Sequence, residues 1–183
     1  MATSPLDLAD VRWQLKADLD DEIQDAALQR MVDAAQDHVE RATGLVLTQR
    51  EVTQAFSGAV PLILSAWPIA TDAAVTVKYL DVAGTEQPFP GCRLVAWTRP
   101  ARVVMPTGAA PRLLRAPDAI RVTVMAGYAS AEDVPGSVKQ AMLMLIAHFD
   151  RNREAVVTTG ASMASEVPMG VKAMLGPYMA MVA

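Results

Sequence analysis

The sequence is poor in the residues that build catalytic and metal-binding sites. Its 183 residues include one cysteine, Cys92, and two histidines, His38 and His148. A lone cysteine cannot form an internal disulfide or anchor a cysteine-based metal cluster. Nucleophile-elbow, dinucleotide-binding and phosphate-loop motifs are also missing. We predict that each histidine is a polar group on a helix, and we expect no catalytic, metal or cofactor site.

Long apolar runs and an excess of positive charge are missing too. The longest apolar run, Ala141 to Ala147, is far below the roughly 20 residues that span a bilayer, and no signal peptide is evident at the N-terminus. The net charge of −4 argues against general attraction to nucleic acid. We therefore expect a soluble protein of a reducing cytoplasm. Hydrophobic residues make up 52% of the chain, enough for a packed core.

Two helices are predicted at the start of the chain. Ser4, Pro5 and Asp7 match a capping box, with Ser4 as the cap and Pro5 at the first helical position. The second helix begins in the acidic stretch Asp18 to Glu22, which opposes the positive end of the helix dipole. Gly44 is placed to end it in a left-handed cap. Its predicted buried stripe consists of Ile23, Ala27, Met31, Ala34, Ala35, Val39 and Ala42.

Residues 45–128 have the pattern of extended chain. Apolar and polar residues alternate over residues 75–79 and 120–124, as in half-buried strands. A stretch rich in proline and arginine, residues 88–117, lies between them. The segment is therefore predicted to be a β-rich insertion.

A long helix that is apolar nearly all round is predicted after Pro135. It runs through Phe149 and stops in the charged stretch Asp150 to Glu154. A helix that is apolar on every side is typical of the centre of a bundle. Residues 158–165 are rich in glycine, serine, threonine and alanine and predict a mobile linker. A short terminal helix follows.

Together these patterns predict an α+β, mainly α fold in a single domain, residues 1–183. It would be a helical bundle with a central apolar helix (129–157) and two N-terminal helices (1–44). The bundle would carry a β-rich insertion (45–128) and end in a linker and C-terminal helical arm (158–183).

Charge is unevenly distributed along the chain. Residues 1–40 hold ten acidic and three basic residues, a net −7, whereas residues 88–128 hold six arginines and one aspartate, a net +5. Three interpretations stay open. The segments can be ordinary solvated faces, or complementary surfaces that join subunits head to tail, or the arginines can contact DNA phosphates. Only Trp97 is interleaved among the arginines as a stacking aromatic, which weakens the last interpretation.

The order of these elements resembles the head–tail connector (adaptor) proteins of long-tailed phages and gene transfer agents. The matching residues run the length of the chain. They are Leu8-x-x-Val11-x-x-x-Leu15, Thr43-Gly44, Trp67-Pro68-Ile69, Val75-x-Val77-x-Tyr79-Leu80-Asp81-x-x-Gly84, Ala126-Gly127-Tyr128, Val134-Pro135 with Gln140-Ala141 through Asn152-Arg153-Glu154, and Val167-Pro168 through Pro177-Tyr178. After this last Pro-Tyr, family members often have an arginine, whereas this chain has Met179.

The resemblance implies a structural subunit without catalytic activity. Copies would form a ring, expected to be twelvefold, between the portal protein and the next neck protein, such as a stopper. The ring would extend the channel through which packaged DNA passes without sequence-specific binding. The expected location is the head–tail junction of a virion assembled in the host cytoplasm, with no membrane contact. Alternatives are another neck protein (stopper or tail-completion subunit) or a small DNA-binding regulator.

Two sets of contact residues are predicted. The portal-binding arm would present an exposed face of Val171, Met174, Leu175 and Tyr178, although packing of this helix on its own bundle stays open. Contacts between subunits would be made by Arg99, Arg102, Arg112, Arg115, Arg151, Arg153 and Glu154. For the last three, simple termination of the helix stays open as the alternative.

Overall fold

The computed structural model of the chain divides into two compact units. It describes residues 4–16, 22–58, 61–106, 108, 111–152 and 168–179. One unit, here called the sheet unit, is Gln49–Ala129. The other, the helical unit, consists of the described residues that precede and follow it.

The helical unit contains α1 (Leu8–Leu15), α2 (Glu22–Thr43), α3 (Gly136–Arg151) and α4 (Met169–Leu175), followed by a short 3₁₀ helix. Helix α3 contacts each of the other three helices. Burial of a large apolar side chain contributes about 1.5–3 kcal/mol, so α3 supplies much of the core of this unit. Its buried side chains are Val138, Ala141, Met142, Leu145 and Ile146.

The ends of the first two helices follow local hydrogen bonds. Asp7 is the N-cap of α1, because its carboxylate accepts from the Ala9 N–H at 3.1 Å. The predicted cap, Ser4, instead accepts from the Leu6 N–H at 3.4 Å, so α1 begins later than expected. Gly44 has φ +70° and donates its N–H to the Glu40 carbonyl at 2.8 Å. This confirms the predicted left-handed end of α2.

The buried side of α2 differs in part from the predicted stripe. Ala35 and Val39 are buried as expected, together with Leu28 and Val32. Ala34 and Ala42, in contrast, are exposed. Alanine is compatible with either side of a helix, so a pattern built mainly from alanines does not separate the two.

The sheet unit contains seven strands in two antiparallel sheets. The strands are β1 (Arg50–Phe56), β2 (Leu62–Leu64), β3 (Val75–Leu80), β4 (Glu86–Pro88), β5 (Arg93–Val95), β6 (Ala101–Val104) and β7 (Ile120–Ala126). The four-stranded sheet has the order β1-β7-β3-β4, and the three-stranded sheet has the order β2-β6-β5.

Strand β7 is the centre of the four-stranded sheet. It pairs with β1 along its whole length, from Ala126 opposite Arg50 to Ile120 opposite Phe56, and with β3 on its other side. Its alternate residues are buried, as the predicted alternation over 120–124 requires.

The predicted mainly α fold is wrong. The described chain contains four α-helices and seven strands in two antiparallel sheets, so it is not a mainly helical bundle with a subsidiary insertion. The sequence pattern missed the three-stranded sheet because β2, β5 and β6 have only three or four residues each. Strands this short cannot display a recognisable alternation, and prolines lie close to them in sequence.

One side chain joins the two sheets. The Nε2 of Gln54, on β1, donates to the Ile63 carbonyl at 3.0 Å. Its Oε1 accepts from the Ser65 N–H at 2.9 Å and from the Ser65 hydroxyl at 3.1 Å. The amide therefore satisfies backbone groups at the edge of β2 that lack a neighbouring strand.

We predict that Gln54→Leu destabilises the chain by about 1 to 2 kcal/mol, because it removes these hydrogen bonds at nearly constant side-chain size. Urea unfolding measures the loss, and hydrogen exchange of the Ser65 amide localises it. Gln49→Leu, at an exposed position just before β1, is the matched control. Equal effects of the two substitutions would contradict the predicted role of Gln54.

Candidate interaction surfaces

No metal site is formed by the residues that the structure describes: no three or more His, Cys, Asp or Glu side chains come together to hold an ion. Cys92 is partly buried, which raises the pKa of its thiol, and its Sγ–H donates to the Phe89 carbonyl at 3.4 Å. No helix in the described ranges is both long and apolar enough to cross a membrane. The candidates in this part of the chain are surfaces.

The outer face of the four-stranded sheet carries a neutralised charge cluster. Glu86 accepts from Lys78 Nζ at 2.9 Å and from Arg121 Nη1 at 3.2 Å. Arg121 Nη2 lies 2.7 Å from Asp118 Oδ2. The Lys78 hydrogen bond lowers the pKa of Glu86, and Arg121 lowers that of Asp118. Arg121, one of the six arginines of residues 88–128, therefore has its counter-charges within the sheet unit.

The three-stranded sheet has arginines on its outer face without such partners. Ile63 lies opposite Arg102, and Arg93 lies opposite Val104. Arg102 and Val104 are two positions apart on β6, so all four side chains are on one face, here called the arginine face. Ile63 and Val104 are 43% and 42% exposed. Neither arginine forms an ion pair with any residue in the described ranges.

The other predicted contact arginines are distributed over several elements. Arg99 is half-buried in the turn between β5 and β6, while Arg112 and Arg115 are exposed in the segment before β7. Arg151 is exposed in the last turn of α3, close to the negative end of the helix dipole. Arg153 and Glu154 lie outside the described residues, as does the predicted linker 158–165. The described contact arginines therefore lie on several elements: Arg99, Arg112 and Arg115 are on loops of the sheet unit, and Arg151 is on α3 of the helical unit.

The predicted portal-binding residues face the chain's own helices. Val171 and Leu175 on α4 are 0% and 1% exposed. Tyr178 is half-buried, and its hydroxyl lies 3.0 Å from Ser137 Oγ on α3. Met174 is also half-buried. In this structure the arm packs on its own bundle, and portal binding by these four residues stays a prediction.

Glycine allows the close approach of α4 to α3. A Cβ atom added at Gly170 would lie 2.8 Å from Met144 Cε. Glycine weakens a seven-residue helix by about 1 kcal/mol relative to alanine, so its presence here reflects packing rather than helix propensity.

An open groove lies along α2 beside the end of α3. Its lining includes Ala27, Met31, Ala34 and Phe149. Three of these residues belong to the stripe predicted to be buried on α2, but Ala34 is exposed and the others are only half-buried. The groove therefore occupies part of the α2 surface on which the sequence pattern predicted packing.

The sequence patterns did not predict that two tryptophans are exposed at the surface. Trp13 on α1 is 81% exposed, and Trp97, in the turn between β5 and β6, is 69% exposed. Tryptophan is usually largely buried, so exposure on this scale is unusual. The available signal for Trp13 was its position on α1 away from Leu8, Val11 and Leu15, the predicted buried side.

No family model and no curated protein matches the chain, but solved structures of gene transfer agent (GTA) particles share its fold. A chain in the virion of a native GTA particle is 23% identical with a TM-score of 0.71, and the match covers 98% of this chain and 91% of that chain.

Two neck structures give the same result. In the neck of a native GTA particle computed with C12 symmetry, the match has 24% identity, a TM-score of 0.70 and coverage of 100% of this chain and 94% of that chain. In the neck of an empty GTA particle computed with C6 symmetry, the match has 24% identity and a TM-score of 0.70, and it covers 100% of this chain and 95% of that chain. The likeness extends over both units, and the chain therefore has the fold of a protein found in GTA virions and necks.

Proposed function

We propose that the chain is a head–tail connector (adaptor) subunit of a phage-like or GTA particle. Copies form a ring between the portal vertex and the next neck or tail protein, and the ring extends the channel for packaged DNA. One observation carries the proposal: the fold matches chains in GTA virion and neck structures over 98–100% of this chain's length. The role is structural and involves no catalysis.

A ring of identical subunits is supported by the symmetry of the neighbouring structures, which were computed with C12 and C6 symmetry. A twelvefold ring is compatible with both. Closed rings need two different surfaces on each subunit that fit each other head to tail. The arginines of the sheet unit, Arg99, Arg102, Arg112 and Arg115, are our candidates for contacts on one of these surfaces, and Arg151 at the end of α3 is a further candidate contact.

The C-terminal arm is proposed to bind the portal protein through Val171, Met174, Leu175 and Tyr178. Because these side chains face the chain's own helices, α4 must leave α3 before it binds. A helix of seven residues is not stable alone. It requires either its contacts with α3 or equivalent contacts with a partner, so exchange of one apolar surface for another is physically reasonable.

Another neck protein is the main alternative, since a stopper or tail-completion subunit also belongs to a neck. Direct binding to the portal without an intermediate protein separates the two roles. A small DNA-binding regulator is the weaker alternative, because the chain has a net charge of −4 and Arg121 is already paired within the sheet unit.

We predict that tagged protein, isolated from cells that are producing particles, brings portal and tail proteins with it. Mass spectrometry identifies these partners, and gold labelling with negative-stain microscopy places the tag at the head–tail junction. A second sample from cells without particle production is the control. Recovery of the chain without any particle protein, while particles are abundant, would refute the proposed function.

We predict that Ser137→Ala raises the apparent affinity for purified portal by up to about tenfold, because it removes a hydrogen bond of about 0.5–1.5 kcal/mol that holds the arm on α3. Every arm residue stays in place in this variant. Biolayer interferometry measures the affinity, and thermal unfolding confirms the weaker packing.

Tyr178→Phe is the matched variant, since it removes the same hydrogen bond from the arm side. An equal increase in affinity for both variants supports release of α4. Lowered stability with unchanged portal affinity would show that α4 remains on α3 in the complex.

A further inference from the structure

Two exposed tryptophans lie on different units, and charged side chains lie close to each of them in sequence. On α1, Asp10 and Trp13 are three positions apart, so they share a helix face. Both are exposed, and Asp7, the exposed N-cap of α1, precedes Asp10 by three positions. Lys16, also exposed, closes the opposite end of this face. We call Asp7, Asp10 and Trp13 the Trp13 face.

On the sheet unit, Trp97 belongs to the turn that joins β5 to β6, the two strands that carry the arginines of the arginine face. Exposed apolar side chains, Ile63 and Val104, alternate there with Arg93 and Arg102. Protein interfaces are enriched in arginine and aromatic residues and depleted in lysine. The arginine face has this composition and contains no lysine.

The two faces differ in charge: Asp7 and Asp10 outnumber Lys16 beside Trp13, whereas the arginine face carries two guanidinium groups. Arg93 and Arg102 lack ion-pair partners among the described residues, in contrast to Arg121 on the other sheet. Guanidinium groups form short, paired hydrogen bonds with carboxylates and bind the faces of tryptophan rings by cation–π attraction. The Trp13 face offers both kinds of partner, an indole and the carboxylate of Asp10, with the carboxylate of Asp7 also accepting from the Ala9 N–H.

We propose that the arginine face of one copy, with Trp97, covers the Trp13 face of the next copy. The proposal rests on the ring in the proposed function and names the two surfaces that form it. Because the surfaces differ, the contact is heterologous and repeats from copy to copy until the ring closes. Both exposed tryptophans become buried in the same interface, where aromatic and arginine side chains supply most of the binding energy.

DNA is a less suitable occupant of the arginine face. Contacts with phosphates are made by cationic and polar groups, and they leave Ile63 and Val104 without an apolar partner. DNA binding also provides no partner for the exposed Trp13, since the neighbouring carboxylates of Asp7 and Asp10 repel phosphates. A second copy of the chain satisfies both surfaces at once.

The test uses two charge reversals in the full chain, Arg102→Asp and Asp10→Arg. Each variant alone places like charges opposite each other in every head-to-tail contact. We expect each to lower self-association by about tenfold or more. Mixed in equal amounts, the two variants restore opposite charges at every contact of an alternating ring. Assembly of the mixture is therefore expected to return towards the wild-type level.

Assembly is measured by sedimentation velocity and chemical cross-linking at matched concentrations, with and without purified portal as a template. Arg30→Asp and Glu132→Arg are the matched controls, because they make equal charge changes at exposed positions outside both faces. Both reversals are at the surface, so unfolding temperatures close to wild type are expected and are checked first.

Normal assembly of either single reversal would overturn the proposal, as would loss of assembly that mixing does not restore. Loss of salt-dependent duplex binding in Arg102→Asp with unchanged assembly would assign the arginine face to DNA instead. A different result would refute the proposed function alone. If wild-type protein assembles by this contact but never copurifies with particles, the contact is supported and the connector role is refuted.

Discussion

The fold depends on the pairing of β1 with β7, which joins distant parts of the chain. The hydroxyls of Thr53 and Thr123 are 2.8 Å apart across this pair although 70 positions separate them. Just beyond it, Gln49 donates its N–H to the Tyr128 carbonyl at 3.1 Å, so the chain enters and leaves the sheet unit at adjacent points. This arrangement allows α3 to pack on α1 and α2 although the whole sheet unit separates them in sequence. The core of the sheet unit therefore requires this long-range pairing.

The sequence was informative where local rules determine structure. Gly44 was correctly predicted to end α2 with positive φ, and the alternation over 120–124 correctly predicted a strand with one buried face. Local chemistry alone did not choose between Ser4 and Asp7 as the cap of α1, and Asp7 is the cap in the structure. The sequence was misleading where a tertiary partner decides the outcome. The second sheet, built from three- and four-residue strands, depends on cross-strand pairs and on the amide of Gln54, and neither leaves a local pattern. The mainly α prediction failed for this reason.

Surface assignment was limited by the same distinction. The spacing of Val171, Leu175 and Tyr178 shows that α4 has an apolar side, but it cannot show whether that side binds a partner or α3. The arginine content of residues 88–128 was visible in the sequence, but only the structure separates Arg121, which is neutralised by Glu86 and Asp118, from Arg93 and Arg102, which are not. Ile63 and Val104 lie beside those two arginines because of how β2 and β5 pair with β6, and the spacing of these residues in the sequence does not reveal it.

Arg121 on the four-stranded sheet is paired within the subunit, whereas Arg93 and Arg102 on the three-stranded sheet have no ion-pair partner among the described residues. This difference matters for association with another copy. An exposed arginine is well solvated, so the lack of an internal partner costs a lone subunit little. The same subunit also exposes two large indoles, and covering them releases free energy roughly in proportion to the apolar area removed from water. Once the indoles are covered, nearby guanidinium groups lose water and need carboxylates. Burial of the indoles therefore drives association, while the charges determine which partner binds. A subunit with these properties gains most from a surface that combines an apolar group with a carboxylate, and α1 of another copy offers Trp13 with Asp10 one turn away.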